Sequence, residues 1–346
     1  GLGMWLPERV EFLSSPSISG YSMPWTKQLV AHEYRHAVQY NNLNRGLVKI
    51  LSYVIGQQSS TIGLLFMPLW MMEGDAVMSE TEMSTFGRGL QPSFSMAYRA
   101  YGNVTECFPN RDKWLCGSYK DYIPNHYQLG YFICRHGYNR YGRIIGNDMA
   151  ELTARRPYMV ISNSWVFKKL YGTTQPRLFD DTFNTLHEHW QQMPQIAQST
   201  SAIATPETTC YTTYSHPIAL DNGAIVALKE DLDQSSRFVV VDPESGREHK
   251  LLSTGIISSR PILSSSGRLW WTEYRRSPLF AQKVSSKICY LGSNAKRAKS
   301  LKTKGNILYV TPTHDDKVSW VEYNINGSHT NVRDALADEH IRTTIA

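Results

Sequence analysis

The stretch LVAHEYRHAVQY, residues 29–40, holds residue types and a spacing that can do chemistry: His32, Glu33 and His36 stand in the order H-E-x-x-H. On a helix, residues four apart lie one above the other on the same face. Both imidazoles can then reach one ion at about 2.0–2.1 Å. Glu33 is turned about 100° around the axis from His32. That is too far round for an in-line third ligand, and well placed to touch a water at the ion. Two surface histidines one turn apart give the same string by chance. A catalytic zinc site needs a third protein ligand and an open fourth position. PLWMMEGDAVMSE, residues 68–80, offers Glu73. A carboxylate in a Trp- and Met-rich run is costly to bury unless paired or metal-bound; the plain alternative is an exposed first helical turn.

Three segments in this order resemble a known family. HEYRH followed by Trp70-Met71-Met72-Glu73-Gly74-Asp75-Ala76 is similar to the gluzincin metallopeptidases, in the branch of the aminopeptidases and leukotriene-A4 hydrolase. The resemblance implies one Zn2+ per chain held by His32, His36 and Glu73, with Glu33 as general base. That branch also has a Tyr-x-x-Gly segment whose tyrosine donates to the oxyanion. Tyr127-Gln128-Leu129-Gly130 matches it, and Tyr122 stands where a second tyrosine often occurs. The likeness covers about residues 25–140. Two departures stand out. The 36 residues between His36 and Glu73 are about twice the usual interval, and no G-x-M-E-N segment lies upstream. Endopeptidase and exopeptidase action are both left open.

The implied chemistry is metal-assisted hydrolysis of a peptide bond in a peptide or protein substrate. Zinc acidifies its water toward a pKa of about 7 and polarises the scissile carbonyl. Glu33 takes the proton and returns it to the leaving amine, while Tyr127 steadies the oxyanion. A ligand histidine usually gives its second N–H to a carboxylate or carbonyl; Asp75 and Glu80 can serve, or be plain solvated acids. His126 can contact substrate or simply pack. Arg35 can pair with an acid near Glu8 or Glu11, or be solvated. His136 reads as structural, and His187 and His189, two apart, share no helix face.

These residues need helices to position them. KQLVAHEYRHAVQY places Leu29, Val30, Ala37 and Val38 on a repeat of three to four, as an amphipathic helix does. NHYQLGYFICRHGYNRYG and FDDTFNTLHEHWQQ repeat the pattern, with Asp180 or Asp181 as a cap for the latter. ERVEFLSSP, 8–16, reads as a strand. The apolar run 47–70 reads as a helical hairpin packed on the catalytic core, or as a roof over the cleft or a membrane-surface contact.

From about residue 207 the texture changes to short β-rich runs such as AIVALKE, RFVVVD, RLWWTEY and KVSWVEYN, separated by DNG, PESG, SSSG and INGS turns. RPILSSSGRLWWTEYRRSP repeats HPIALDNGAIVALKEDLD about 45 residues on, the length of one propeller blade. The Trp270-Trp271 pair suits the core of such a blade. The division expected is a gluzincin-like domain over 1–192, a Pro/Ser/Thr-rich linker over 193–206, and a partial β-propeller of about three blades over 207–346. Three blades are too few to close a ring, so the remaining blades are expected in a longer natural chain or another assembly.

Composition narrows the rest. Apolar residues make up 41% and charged residues 19% of 346, which reads as globular rather than disordered. The net charge of +6 peaks in NAKRAKSLKTKG, 294–305, which lacks interleaved aromatics and argues against nucleic acid. No apolar stretch is long enough to span a bilayer. No signal peptide is visible, and the chain opens on GLGMW, so the natural N-terminus is expected upstream. Cys107 and Cys116 fit either a local disulfide or two free thiols; the former suits an exported protein, periplasmic, cell-surface or secreted. The fold class expected is α+β and multidomain. The second functional reading is a propeller-based binding or scaffold protein whose metal site is vestigial. No close carboxylate pair supports action on polysaccharide.

Overall fold

In the computed structural model the described residues are 4–5, 9–10, 25–104, 111–157, 162–194, 202–203, 206–280, 284–293, 295–301, 303, 306–313, 317–324, 327–334 and 340–343. The chain is mixed α and β, with its described helices in the first two hundred residues of the sequence and its three four-stranded antiparallel sheets in the rest. It divides into two compact units. One holds Gly1–Ser118 with Tyr122–Ile196, the other Tyr119–Asp121 with Ala197–Ala346.

The helical unit contains α1 (Trp25–Leu43), α2 (Gly46–Ile55), α3 (Ser59–Leu64), α4 (Leu69–Glu82), α5 (Pro92–Val104), α6 (Arg111–Cys116), α7 (His126–Tyr141), α8 (Ile145–Arg155), α9 (Ser162–Tyr171) and α10 (Gln175–Gln191). A two-residue hairpin, β1 (Met4–Trp5) with β2 (Arg9–Val10), precedes them. The expected strand over 8–16 is described only at Arg9–Val10, and Glu8 and Glu11 lie outside the described residues. The centre is α4, which packs on α1, α7 and α8 and is buried nearly all round, from Trp70 and Met71 to Glu80 and Thr81. Behind α7, Tyr98 stacks 4.5 Å from Trp114 and 5.4 Å from Phe183, an aromatic block that anchors the far side.

Two expectations are corrected here. The buried face of α1 is not the Leu29, Val30, Ala37, Val38 stripe. It is the polar ladder Gln28, His32, His36 and Gln39, while Val30 and Tyr34 face outward, 50% and 65% exposed. The apolar pattern loses because the ladder's polar atoms find partners on α4, which makes burying them affordable in energy. Second, α10 starts before Asp180 and Asp181. The Thr174 hydroxyl caps it by accepting from the Arg177 amide, and Pro176 sits in the first turn, where its missing N–H has no partner to lose. The expected helical pair within 47–70 is present: the helix is broken at Gly56 (φ 66°), and α2 and α3 pack on each other and on α8, with α3 also against α1. A second bend, of 91°, precedes α4. No single described helix is long and apolar enough to cross a membrane.

The second unit is built of three four-stranded antiparallel meanders, consecutive in sequence. They are β3 (Thr212–Ala219), β4 (Ile225–Asp231), β5 (Arg237–Val241) and β6 (Glu248–Ser253); then β7 (Ile262–Leu263), β8 (Leu269–Arg276), β9 (Val284–Leu291) and β10 (Lys299–Leu301); then β11 (Asn306–Pro312), β12 (Lys317–Asn324), β13 (Gly327–Asp334) and β14 (His340–Thr343). The repeated segments fall on the β3–β4 and β7–β8 hairpins. Their tight turns use Gly223 (φ 82°) and Gly267 (φ 75°) in the left-handed region that glycine tolerates. Alternation along β8 buries both faces. Trp271 packs with Val226, Leu228 and Phe238 of the first sheet, and Trp270 with Ile307, Val310 and Trp320 of the third. The described strands do not close into a ring.

Candidate metal centre

Two helices make the centre, and two glycines bring in a third. On α1, His32 and His36 stand one turn apart, edge to face, with ring centroids 4.9 Å apart. Across from them, Glu73 of α4 turns one carboxylate oxygen to both. Glu73 Oε2 lies 3.1 Å from His32 Nε2 and 3.4 Å from His36 Nε2. Ligands about 2.0–2.1 Å from one tetrahedral ion stand about 3.3 Å from each other; both distances to Glu73 match that spacing, and one ligand atom from each of the three residues lies within 4.8 Å of the others. The chain Trp70 to Ala76 delivers Glu73 while its neighbour Gly74 touches α7. A Cβ on Gly74 would lie 2.0 Å from the Gly130 carbonyl carbon, and one on Gly130 would lie 1.7 Å from the Trp70 oxygen. Only glycine at both positions lets α4 and α7 cross this closely, and the crossing sets Tyr127 beside the histidines, its ring 6.0 Å from that of His32. The Asn125 side chain caps α7 by accepting from the Tyr127 amide at 2.9 Å.

Each imidazole is fixed through its other nitrogen. His32 Nδ1 meets Glu80 Oε2 at 3.1 Å. Glu80, fully buried, also accepts from Gln28 Nε2 at 3.2 Å and from Arg88 Nε at 2.7 Å. His36 Nδ1 donates to Gln39 Oε1 at 2.8 Å, and the Gln39 amide donates to Asp75 Oδ2 at 2.7 Å and to the Met72 carbonyl at 3.0 Å. With both Nδ1 atoms occupied, both Nε2 atoms face Glu73. This is the outer support that metal-ligating histidines require.

The electrostatics follow the contacts. Burial alone would raise the Glu73 carboxyl, but hydrogen bonds with His32 and His36 more than offset it and hold it well below the usual carboxylate range. Burial alone would lower His32, but its bonds to Glu73 and Glu80 outweigh that and raise it. Burial and then the Glu73 carboxylate push the Tyr127 phenol up to about 12. Tyr40 is raised by burial and then by Glu73 and Glu33.

The residues singled out by sequence fall into two groups. His32, Glu33, His36, Glu73 and Tyr127 line one cleft of about 420 Å3 together with Tyr40, Leu64, Met67, Leu69 and Met72. Glu80 and Asp75 stand behind it, the first on His32 directly and the second through Gln39. Tyr122 is 40% exposed and is not among the residues lining the cleft. His126 packs on Tyr127 with ring centroids 4.6 Å apart and lines a separate depression with Trp70 and Gln175. Arg35 pairs with Asp75 at 2.8 Å and donates to Asn147 at 2.8 Å; Glu8 and Glu11, the acids expected for it, lie outside the described residues. Gln28, Gln39, Tyr40 and Arg88 were not anticipated. Gln28, Gln39 and Tyr40 share the helix face of the two histidines, a signal present in the sequence; Arg88 comes from the short 3-10 turn Arg88–Leu90 and gives none. Cys116 is an exposed free thiol, and Cys107 lies outside the described residues. Of the run 47–70, Ile50, Tyr53, Val54 and Leu65 are exposed by 63%, 79%, 82% and 79%.

No protein-family model matches the chain, and no curated protein matches it at a significant level.

Proposed function

We propose that this chain is a zinc-dependent peptidase similar to the gluzincins, joined to propeller-like blades, in an exported protein. The observation that carries the reading is the meeting of two Nε2 atoms and one carboxylate oxygen, 3.1 and 3.4 Å apart, with both Nδ1 atoms already engaged elsewhere. His32, His36 and Glu73 would hold the ion. When bound, zinc supplies Lewis acidity toward a water and a carbonyl. Glu33 is one residue on from His32, lines the same cleft and makes the natural proton acceptor from the attacking water and donor to the leaving amine. Tyr127, whose phenol keeps its proton up to a pH of about 12, donates to the oxygen on which negative charge develops. In the strand-rich unit, three consecutive four-stranded meanders with both faces of the middle one buried suit propeller blades.

The test is elemental analysis of the purified protein together with a peptide-library digest. We expect one zinc per chain, and hydrolysis that falls by about 10²–10⁴-fold in Glu33→Gln with its zinc retained. Turnover unchanged in Glu33→Gln would remove the mechanism. A protein that takes up no zinc would leave the binding or scaffold reading in its place.

A further inference from the structure

The cleft has two unlike sides. One carries the charged groups, His32, Glu33, His36 and Glu73. The other is a row of four apolar side chains from one stretch of chain: Leu64 at the end of α3, Met67 in the bend, and Leu69 and Met72 on α4. The row exists because of the long interval between the second histidine and Glu73. Helix α3 ends at the cleft and the chain bends over residues 65–68 into α4, laying its apolar corner beside the triad. Met67 is 6% exposed and forms the floor, while Leu69 is 58% exposed at the rim. Tyr40 lies one turn beyond His36 on the same face of α1, half-buried, and its phenol opens into the same cleft. The neighbouring Glu73 and Glu33 carboxylates help keep that phenol protonated, hence a donor.

We propose that Leu64, Met67, Leu69, Met72 and Tyr40 form the subsite for the substrate residue next to the scissile bond. That residue carries a bulky, uncharged apolar side chain, and Tyr40 hydrogen-bonds its backbone. The inference rests on the peptidase reading above. Its physical basis is asymmetry of desolvation. A Leu, Met or Phe side chain exchanges water for the apolar row, whereas an Asp or Lys would be stripped of water with no partner offered by those four side chains. Two flexible methionines in the row accommodate several apolar shapes rather than one. The cleft, at the small end of the range of about 300–1,000 Å3 usual for ligand sites, suits one side chain and its flanking backbone.

The experiment uses the zinc-loaded chain and a fluorogenic peptide library varied at the two positions flanking the cleaved bond. At one of them, Leu, Met or Phe should exceed Asp and Lys by about 10–200-fold in kcat/KM. Leu69→Lys, a rim change that leaves the floor intact, should shift that position toward Asp and Glu. Tyr40→Phe should raise KM roughly 3- to 10-fold for every peptide alike, with kcat changed less, because a backbone bond carries no side-chain preference. In the Glu33→Gln background the same order of affinities should appear in direct binding of an uncleaved Leu peptide. Hydrolysis with no preference at either position, or Leu69→Lys leaving the preference untouched, overturns the subsite and spares the peptidase. Absence of any hydrolysis by zinc-loaded protein overturns the peptidase reading itself.

Discussion

Both units pair their buried charges, but the helical unit, besides pairs such as Arg35–Asp75 and Arg88–Glu80, also links them into networks. In the strand-rich unit the buried charges close on themselves in pairs. Lys229 meets Glu248 at 2.5 Å, Arg237 meets Asp231, and Glu273 meets Lys287 at 2.8 Å while accepting from the Trp271 ring nitrogen at 2.9 Å. In the helical unit Gln28, His32, His36, Gln39, Asp75 and Glu80 are buried too, yet their bonds form two chains that converge. Each ends on an imidazole whose free nitrogen points to the same carboxylate oxygen. A closed pair offsets its own desolvation and serves the fold. A convergent network orders its last atoms toward a place where something else can sit, which is how a site differs from a core.

The contrast can be broken in three ways. The largest effect is expected for Tyr127→Phe, which removes a donor from the cleft, together with the phenol's bond to Glu73, and leaves both imidazole chains in place. Turnover should drop by about 10²–10³-fold with zinc content and melting temperature preserved, and kinetics at full zinc loading checks it. Next is Glu80→Gln, at the root of the His32 chain. Zinc affinity, measured by competition with a chromophoric chelator, should weaken by about 10–100-fold. If affinity stayed the same, the convergence would be ordinary core packing. The smallest effect belongs to Glu273→Gln, which opens a closed pair. Burial would raise Glu273, but Lys287, the Trp271 ring nitrogen and the Gly255 amide hold it below its ordinary 4.5. A depressed carboxyl contributes stability that is complete above that ordinary value and is lost as the pH falls through the lowered one. The variant should therefore melt about 2–4 °C lower near neutral pH, with the gap closing as the pH drops below 4.5. Zinc affinity should not move.

Local signals carried a large part of this. H-E-x-x-H needs only helical periodicity to put His32 and His36 together, and α1 supplies it. The turn glycines and alternating runs after residue 207 needed only the pleat, so the short strands and a core place for Trp270 and Trp271 were readable in advance, while the structure put the two on opposite faces. Periodicity misled where partners came from far along the chain. The buried face of α1 could not be chosen from Leu29 and Val30, because what makes its polar face burial-competent is Glu80, Asp75 and Glu73, at separations of 36 to 48 residues. Arg35 drew its acid from 40 residues away for the same reason.

The sequence by itself determined which residue types could ligate, abstract a proton or donate to an oxyanion, and which stretches would be helix or strand, since these depend on side-chain chemistry and on hydrogen bonds within a few residues. Only the tertiary structure decided that Glu73 faces the histidines, that Gly74 meets Gly130 so that Tyr127 joins them, and that Tyr122 and His126 stay outside the cleft. Those outcomes turn on the crossing of α1, α4 and α7. A crossing is set by how closely two surfaces far apart in the chain can approach, a quantity no local pattern contains.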